Sequence, residues 1–134
     1  MRYYCSLLFV YIFSSAFAQE QFVFEEPING PKILFFEDKY EFGDIIQGDV
    51  IEHVFEFKNS GNAPLILQDV KTTCGCTVPE WPRAPLPPGA TAELRVKFNS
   101  AGKVGIQNKV ITVISNATNQ TSRVMIVTNV NPKS

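Results

Sequence analysis

Two segments of the chain alternate between apolar and polar side chains with a period of two residues. In residues 50–58 one parity is Ile51, His53, Phe55 and Phe57, and the other is mostly charged. In residues 92–98 one parity is Ala92, Leu94, Val96 and Phe98, and the other is Glu93, Arg95 and Lys97. This period is typical of half-buried β-strands. The pattern therefore predicts two strands whose large apolar side chains, namely Phe55, Phe57, Leu94, Val96 and Phe98, belong to one core.

Five further apolar runs complete the pattern. They cover residues 33–36, 40–45, 65–70, 109–115 and 124–130, and turn-forming residues separate them. Short strands at regular spacing predict an all-β, immunoglobulin-like sandwich of about seven strands. A closed eight-stranded barrel is the alternative. The run at 109–115 is apolar on both faces, which is typical of a central strand.

The interval between the fourth and fifth predicted strands is rich in proline. Residues 77–89 contain Pro79, Pro82, Pro85, Pro87 and Pro88. Because proline lacks the N–H of a sheet ladder, this segment is not a central strand. We expect a stiff crossover between two sheets, in which Trp81 either pins the segment over the core or contacts a partner protein.

The first 18 residues have the features of a secretory signal peptide. Arg2 gives a positive start, residues 7–13 are apolar, and Ala16-Phe17-Ala18 matches a cleavage site. The uncharged run of residues 3–18 is shorter than the roughly 20 residues of a spanning helix. We therefore expect an extracytoplasmic protein, periplasmic or secreted, with no membrane span in the mature chain. An extended leader at residues 19–31 and one domain at residues 32–134 would follow the signal peptide.

The charge and the motifs of the sequence argue against several kinds of partner and activity. Loss of the signal peptide removes Arg2 and no other charge, which leaves 11 basic and 13 acidic side chains and a net charge of −2. The two signs are interspersed, so nucleic acid is not expected as a partner. No hydrolase, phosphate-binding or calcium-loop motif is present, and His53 is the single histidine. We therefore expect no enzymatic activity, no catalytic residue and no cofactor, and interpret His53 as a histidine at the edge of the core.

Several short motifs lie on these predicted strands and turns in a recognisable order. They are Phe55-Glu56-Phe57-Lys58-Asn59-Ser60-Gly61, Pro64-Leu65, Thr73-Cys74-Gly75-Cys76-Thr77, Pro88-Gly89, Val96-Lys97-Phe98-Asn99 and Gly102. The series resembles the bacterial domain-of-unknown-function family 1573, a relative of Hydin-type immunoglobulin-like domains. The resemblance covers residues 42–116, and Cys-Gly-Cys-Thr is its most specific part. It implies an extracytoplasmic immunoglobulin-like module and brings no established activity.

Cys74 and Cys76 are the cysteines that remain once Cys5 is removed with the signal peptide. Three interpretations stay open: a local disulfide, a soft-metal site such as one for copper(I), and two small residues that pack a turn. Because the pair follows a predicted strand and precedes the proline-rich segment, we expect it at a corner of the sandwich and partly exposed.

The sequence thus favours a non-enzymatic binding or structural module outside the cytoplasm, with an unknown protein partner in the envelope or outside the cell. Cys74, Cys76 and Trp81 are its candidate binding residues, and no metal ligand set is predicted. A metal-handling (copper) or thiol-redox protein that uses the two cysteines is the alternative. Asn116-Ala117-Thr118 and Asn119-Gln120-Thr121 match the N-glycosylation pattern, but the bacterial resemblance favours an unmodified loop.

Cleavage after Ala18 is the first testable prediction. The small-x-small site behind a short apolar run is what signal peptidase requires. N-terminal analysis of the exported protein should therefore begin at Gln19, with or without cyclisation of that glutamine. An exported protein that still begins at Met1 would contradict the prediction.

Overall fold

The computed structural model of the protein describes residues 29–134, which form eight β-strands. These are β1 (Ile33–Phe35), β2 (Lys39–Ile46), β3 (Val50–Asn59), β4 (Leu67–Thr72), β5 (Thr77–Glu80), β6 (Thr91–Asn99), β7 (Gly105–Ser115) and β8 (Thr121–Asn131). The predicted signal peptide and the leader up to residue 28 lie outside the described residues. Within residues 29–134, no helix is long and apolar enough to cross a membrane.

The strands form two four-stranded sheets. One has the order β1-β3-β6-β5 and the other β2-β8-β7-β4. Paired strands are antiparallel except β2 and β8, which run parallel. The expected all-β sandwich is confirmed, and the barrel alternative is wrong because the strands divide into two separate sheets. β7 pairs on both sides, which agrees with its prediction as a central strand.

The proline-rich segment differs from its prediction. Residues Thr77–Glu80 form β5, the eighth strand that the hydrophobic pattern did not predict. This strand lies at the edge of its sheet and pairs with β6 alone, a position where Pro79 is tolerated. Residues 81–90 return to β6 in the same sheet, so the predicted sheet-to-sheet crossover is wrong. The chain changes sheets earlier, in the loop at 73–76 between β4 and β5.

The inward parity of the strands forms the core between the sheets. Its main cluster includes four of the five predicted core residues, all fully buried: Phe55, Phe57, Leu94 and Val96. The opposite sheet contributes Ile111, Val113, Val124 and Ile126. Phe98 is also fully buried but lies outside this cluster, and the Lys109 ammonium is 5.6 Å from its ring centroid. The prediction of one core is therefore confirmed for four of the five residues, and Phe98 is buried outside their cluster.

Asn59 joins three separate segments at one end of the sandwich. Its side chain is fully buried. The Oδ1 atom accepts hydrogen bonds from the N–H of Lys32 (3.3 Å) and of Gly61 (3.0 Å). The Nδ2 group donates to the carbonyls of Ala63 (2.7 Å) and Leu86 (2.9 Å). One side chain thus connects the start of the domain, the β3–β4 turn and the loop before β6.

The last residues of the predicted leader are held against this turn. The Asn62 N–H donates to the Gly30 carbonyl (3.0 Å), and the Gly30 N–H donates to Asn62 Oδ1 (2.7 Å). A Cβ atom at Gly61 would overlap the backbone of residues 30–32, so only glycine allows this close approach. The Asn-Ser-Gly motif is therefore a docking point for the chain that enters the domain.

The predicted polar loop after β7 is also held against other segments of the domain by its side-chain amides. Asn119 exchanges two hydrogen bonds with Ile33, accepting from its N–H (3.1 Å) and donating to its carbonyl (2.9 Å). Asn116 accepts from the Ile66 N–H (2.8 Å) and donates to the Pro64 carbonyl (3.2 Å). Both amides of the two glycosylation-like patterns are thus engaged with backbone. The two side chains therefore hold this loop against β1 and against the segment before β4.

Replacement of Asn59 tests how far the fold depends on this side chain. Asn59→Ala leaves the N–H groups of Lys32 and Gly61 and the Ala63 carbonyl without their partner in a part-buried site, where each unpaired group costs about 1–3 kcal/mol. The Leu86 carbonyl keeps a hydrogen bond from the Leu65 N–H. We expect the free energy of unfolding to fall by at least about 3 kcal/mol in urea denaturation.

Asn62→Ala is the matched control, because Asn62 is exposed and its side chain accepts one hydrogen bond. Its loss should stay near or below about 1 kcal/mol. Equal losses for the two variants would show that burial of Asn59 is not what matters.

Candidate functional site at the disulfide end

Three loops meet at the end of the sandwich opposite Asn59, which we call the disulfide end. They are residues 47–49, 73–76 and 100–104. The Ser100 N–H donates to the Asp49 carbonyl (3.0 Å), and the Ser100 hydroxyl donates to the same oxygen (2.7 Å). The Asn99 N–H donates to the Cys76 carbonyl (2.9 Å). Backbone hydrogen bonds therefore hold the cysteine-containing loop next to the end of β6.

Cys74 and Cys76 are joined by a disulfide, with their Cα atoms 5.3 Å apart. Both residues are half-buried, and Gly75 between them is exposed. The pair lies where the chain passes from one sheet to the other, which agrees with the expected corner position. Of the three interpretations of the pair, the structure has the local disulfide.

Two threonines organise the backbone around the disulfide. The Thr72 hydroxyl donates to the Cys74 carbonyl (3.0 Å), which also accepts from the Thr77 N–H (3.3 Å). The Thr77 hydroxyl lies 3.7 Å from Cys74 Sγ and 4.0 Å from Cys76 Sγ. The turn is therefore held by hydrogen bonds that do not involve the sulfur–sulfur bond.

A groove of about 550 Å³ opens beside the disulfide, and we call it the valine groove. Its lining consists of Val50, Gly75, Cys76, Val78, Lys97, Asn99 and Ala101. Val50 lies opposite Asn99 on β6, and Val78 lies opposite Lys97, so both valines stand on the outer face of the same sheet. Their exposed fractions are 55% and 54%. The groove thus combines two exposed apolar side chains, one sulfur and one positive charge.

Exposed apolar side chains are concentrated at this end. Among residues 29–134, six large apolar side chains are more than half exposed: Phe36, Ile46, Val50, Val78, Val104 and Ile106. All but Phe36 lie in or next to strand ends at the disulfide end. Surfaces of this kind mark interaction sites more often than surfaces with scattered apolar residues do.

Trp81 is not part of this site. It follows the last residue of β5, whereas Cys76 precedes the first, so the strand separates the candidate residues. The indole packs against the core, and the Arg83 guanidinium lies 3.8 Å from its ring centroid. Its Nε1 atom is buried and has no hydrogen-bond partner among the described residues. These contacts agree with the interpretation in which Trp81 pins its segment over the core.

His53 lies in an aromatic cluster between β2 and β3. Its imidazole stacks on Tyr40, with ring centroids 3.7 Å apart, and its Nε2 atom is hydrogen-bonded to the Glu37 carboxylate. Phe55 packs edge-on against the same imidazole, with centroids 4.7 Å apart. This is the hydrogen-bonded, core-edge position that the sequence predicts for the histidine.

Two charged side chains of the sandwich, Arg95 and Lys109, have pKa values shifted by their surroundings. On the outer face of the β3–β6 sheet, the Arg95 guanidinium donates to Glu52 (2.6 Å), and this hydrogen bond is the main cause of a raised Arg95 pKa. Lys109 points toward the interior near Phe98, and its pKa is lowered by burial first and by the charge of Lys103 second. Within residues 29–134, no three side chains of His, Cys, Asp or Glu form a group that could hold a metal ion.

Sequence reasoning did not identify Val50, Val78 or Thr77 as parts of the site. The two valines are 28 positions apart in the chain and become neighbours only because β3 and β5 flank β6. One feature of the sequence pointed to Thr77 as part of the site, namely its place in the Cys-Gly-Cys-Thr motif. Its buried hydroxyl explains why a threonine follows the second cysteine.

The two four-stranded sheets form an all-β sandwich that resembles immunoglobulin-like and PapD-like domains. The PapD-like domain 7 of human CEP192 is similar, with a TM-score of 0.63 at 11% identity over 78% of this chain and 89% of that one. The chain also matches the model of the family described as protein of unknown function (DUF1573) over residues 33–130, and it belongs to that family.

Other solved structures share the fold. A protein of unknown function from Porphyromonas gingivalis W83 has a TM-score of 0.66 at 18% identity, over 81% of this chain and 51% of that one. The secreted serine protease VesC from Vibrio cholerae has a TM-score of 0.58 at 14% identity, over 74% of this chain and 23% of that one. This chain therefore spans about half of the first protein and about a quarter of the second. No functionally curated protein matches the sequence.

Removal of the disulfide tests whether it holds the fold together. A ring closed over one residue removes little entropy from the unfolded chain, and the hydrogen bonds of Thr72, Thr77 and Asn99 remain without it. We expect Cys74→Ser/Cys76→Ser to keep the fold and to lower the free energy of unfolding by only about 1 kcal/mol.

Thermal melts of the oxidised, reduced and double-serine proteins measure this change. The reduced protein should melt close to the double-serine variant. Collapse of the fold in the serine variant would instead show that the disulfide is a structural clasp.

Proposed function

We propose that the chain is a non-enzymatic, extracytoplasmic module that binds a protein partner at the valine groove. The observation that carries the proposal is the pair of half-exposed valines, Val50 and Val78, beside an open sheet edge. Exposing two neighbouring apolar side chains is unfavourable in water by about 25 cal/mol per Å² of apolar surface. A partner that covers them recovers this free energy.

The geometry of β5 suits an extended partner segment. β5 is an edge strand of four residues and pairs only with β6 in the described part of the chain. An extended segment could add to such an edge through main-chain hydrogen bonds and place one apolar side chain in the groove. Lys97 is the one charged residue in the lining, so a partner with an acidic group next to that side chain fits best.

Two further features support the non-enzymatic and extracytoplasmic parts of the proposal. The imidazole of His53 is enclosed by Tyr40, Phe55 and Glu37, which suits a structural histidine better than a catalytic one. A disulfide persists in an oxidising compartment, which agrees with the signal peptide predicted at residues 1–18.

A metal-handling or thiol-redox function is the second candidate. The feature that favours it is the half-exposed disulfide at the rim of the valine groove. Reduction would release two thiolates, which are suitable ligands for a soft ion such as copper(I). Stoichiometric copper that stays bound through purification, and is lost in Cys74→Ser/Cys76→Ser, would favour this function over partner binding.

Site-specific photo-crosslinking tests the partner proposal. A photoreactive amino acid at position 78 in the exported protein should capture a partner of discrete mass, whereas the same amino acid at position 104 should not. Val104 is the matched control for Val78, because it is a valine at the same end with nearly the same exposed fraction, 55% against 54%, but does not line the groove.

Binding of the captured partner to purified variants gives the second readout. Val50→Lys and Val78→Lys should each weaken binding by at least about tenfold, and Val104→Lys should not. Equal crosslinking from positions 78 and 104, or equal affinity of all three variants, would contradict the assignment of the groove.

A further inference from the structure

The two sulfurs of the disulfide have different surroundings. Cys76 lines the valine groove, whereas Cys74 does not. The Cys74 sulfur is the nearer of the two to the Thr77 hydroxyl, at 3.7 Å against 4.0 Å for Cys76. Thr77 itself is buried, with 3% of its surface exposed. One sulfur is thus reached from an open groove, and the other lies beside a buried hydroxyl group.

We infer that Cys76 is the sulfur attacked by an external thiolate, and that Cys74 is the leaving group, stabilised by the Thr77 hydroxyl. The thiolate sulfur forms a bond to Cys76 Sγ while the bond between Cys76 and Cys74 breaks. The electron pair of the broken bond stays on Cys74 as a thiolate. The product is a mixed disulfide at Cys76, and the only co-reactant is a thiol, from a small molecule or from a cysteine of another protein.

The groove and the buried threonine favour this direction of attack. Lys97 lines the groove and attracts an incoming anion such as a thiolate. A hydroxyl that donates to the Cys74 thiolate stabilises the charged form, and a better-stabilised thiolate leaves faster. Attack on Cys74 would start outside the groove. It would also place the leaving thiolate on Cys76, whose sulfur is farther from the Thr77 hydroxyl, at 4.0 Å against 3.7 Å.

The loop keeps the two cysteines together after the ring opens. The Cys74 carbonyl is held by the Thr72 hydroxyl and the Thr77 N–H, and the Cys76 carbonyl by the Asn99 N–H. Cys74 therefore stays within reach of the mixed disulfide and can attack it to release the thiol. Exchange at this site is reversible and leaves the sandwich unchanged.

This inference goes beyond partner binding and does not depend on it, because a small thiol is sufficient to open the ring. A loss of partner binding in the valine variants and a loss of selectivity at Cys76 are separate outcomes of separate assays. A negative result for partner binding therefore does not contradict the inference on Cys76, and the reverse also holds.

Reaction with a limiting amount of reduced glutathione tests which sulfur is attacked. The oxidised exported protein is quenched in acid early in the reaction, its free thiol is alkylated, and fragmentation across Gly75 locates each group by mass spectrometry. We expect glutathione on Cys76 in at least about fivefold excess over Cys74. Equal amounts, or an excess on Cys74, would overturn the inference.

The role of Thr77 is tested by its effect on the Cys74 thiol. In a Cys76→Ser background, Thr77→Val should move the pH profile of Cys74 alkylation to higher pH, and Thr77→Ser should restore it. Thr73→Val is the matched control, since Thr73 is an exposed threonine next to Cys74. A profile that Thr77→Val leaves in place, or that Thr73→Val moves equally, would show that Thr77 does not stabilise the thiolate.

The source of the thiol is distinguished in cells by trapping. In Cys74→Ser no disulfide remains to be attacked, but the Cys76 thiolate can react with the disulfide form of the same thiol, which forms the mixed disulfide and releases one thiol. Because Cys74 is absent and cannot resolve this adduct, the variant should accumulate it, and acid quenching preserves it. A small adduct identifies a low-molecular-weight thiol, and a protein-sized adduct identifies a partner cysteine. Adducts at equal levels on Cys74→Ser and Cys76→Ser, or on neither, would contradict the inference.

Discussion

The buried side chain of Asn59 is the interaction on which the arrangement of this sandwich depends. It satisfies two N–H groups and two carbonyls from segments that are far apart in the chain, at Lys32, Gly61, Ala63 and Leu86. The Asn59 backbone adds bonds to Gly89 and Ala90. Because buried polar groups without partners are costly, these segments are held in one relative position by a single amide. Strand β1 begins at Ile33, directly after Lys32, so the same junction positions β1 beside β3.

The two ends of the sandwich differ in how their loops are held and in how much apolar surface they expose. At the Asn59 end, the amides of Asn62, Asn116 and Asn119 pair with backbone, and the loops close on one another. At the disulfide end, Ser100 and Asn99 tie the loops together, but several valines and isoleucines stay exposed. The hydrogen-bonded junction at Asn59 and the exposed apolar side chains therefore lie at opposite ends of the sandwich. A surface at the second end can change without loosening the junction at the first.

The parts of the fold that follow local patterns were predictable, and the parts that depend on distant neighbours were not. Alternation in residues 50–58 and 92–98 predicted β3, β6 and the buried face that they share. β5 was missed because a proline is tolerated only at a sheet edge, and edge position is a property of the whole topology. The corner position of the cysteines followed from their place between elements. The groove beside them did not, because Val50 and Val78 become neighbours only across β6.

The loop that carries the disulfide has other restraints, so we expect the covalent bond to contribute little to the stability of the fold. The loop at 73–76 is already held by Thr72, Thr77 and Asn99, and a one-residue ring adds little entropy-based stability. A bond that contributes little to folding is also one that can open at little cost to the fold. Its neighbours are an open groove on one side and a buried hydroxyl on the other. We therefore interpret the disulfide as a reactive bond in a loop that hydrogen bonds already hold, and not as a bond that stabilises the sandwich.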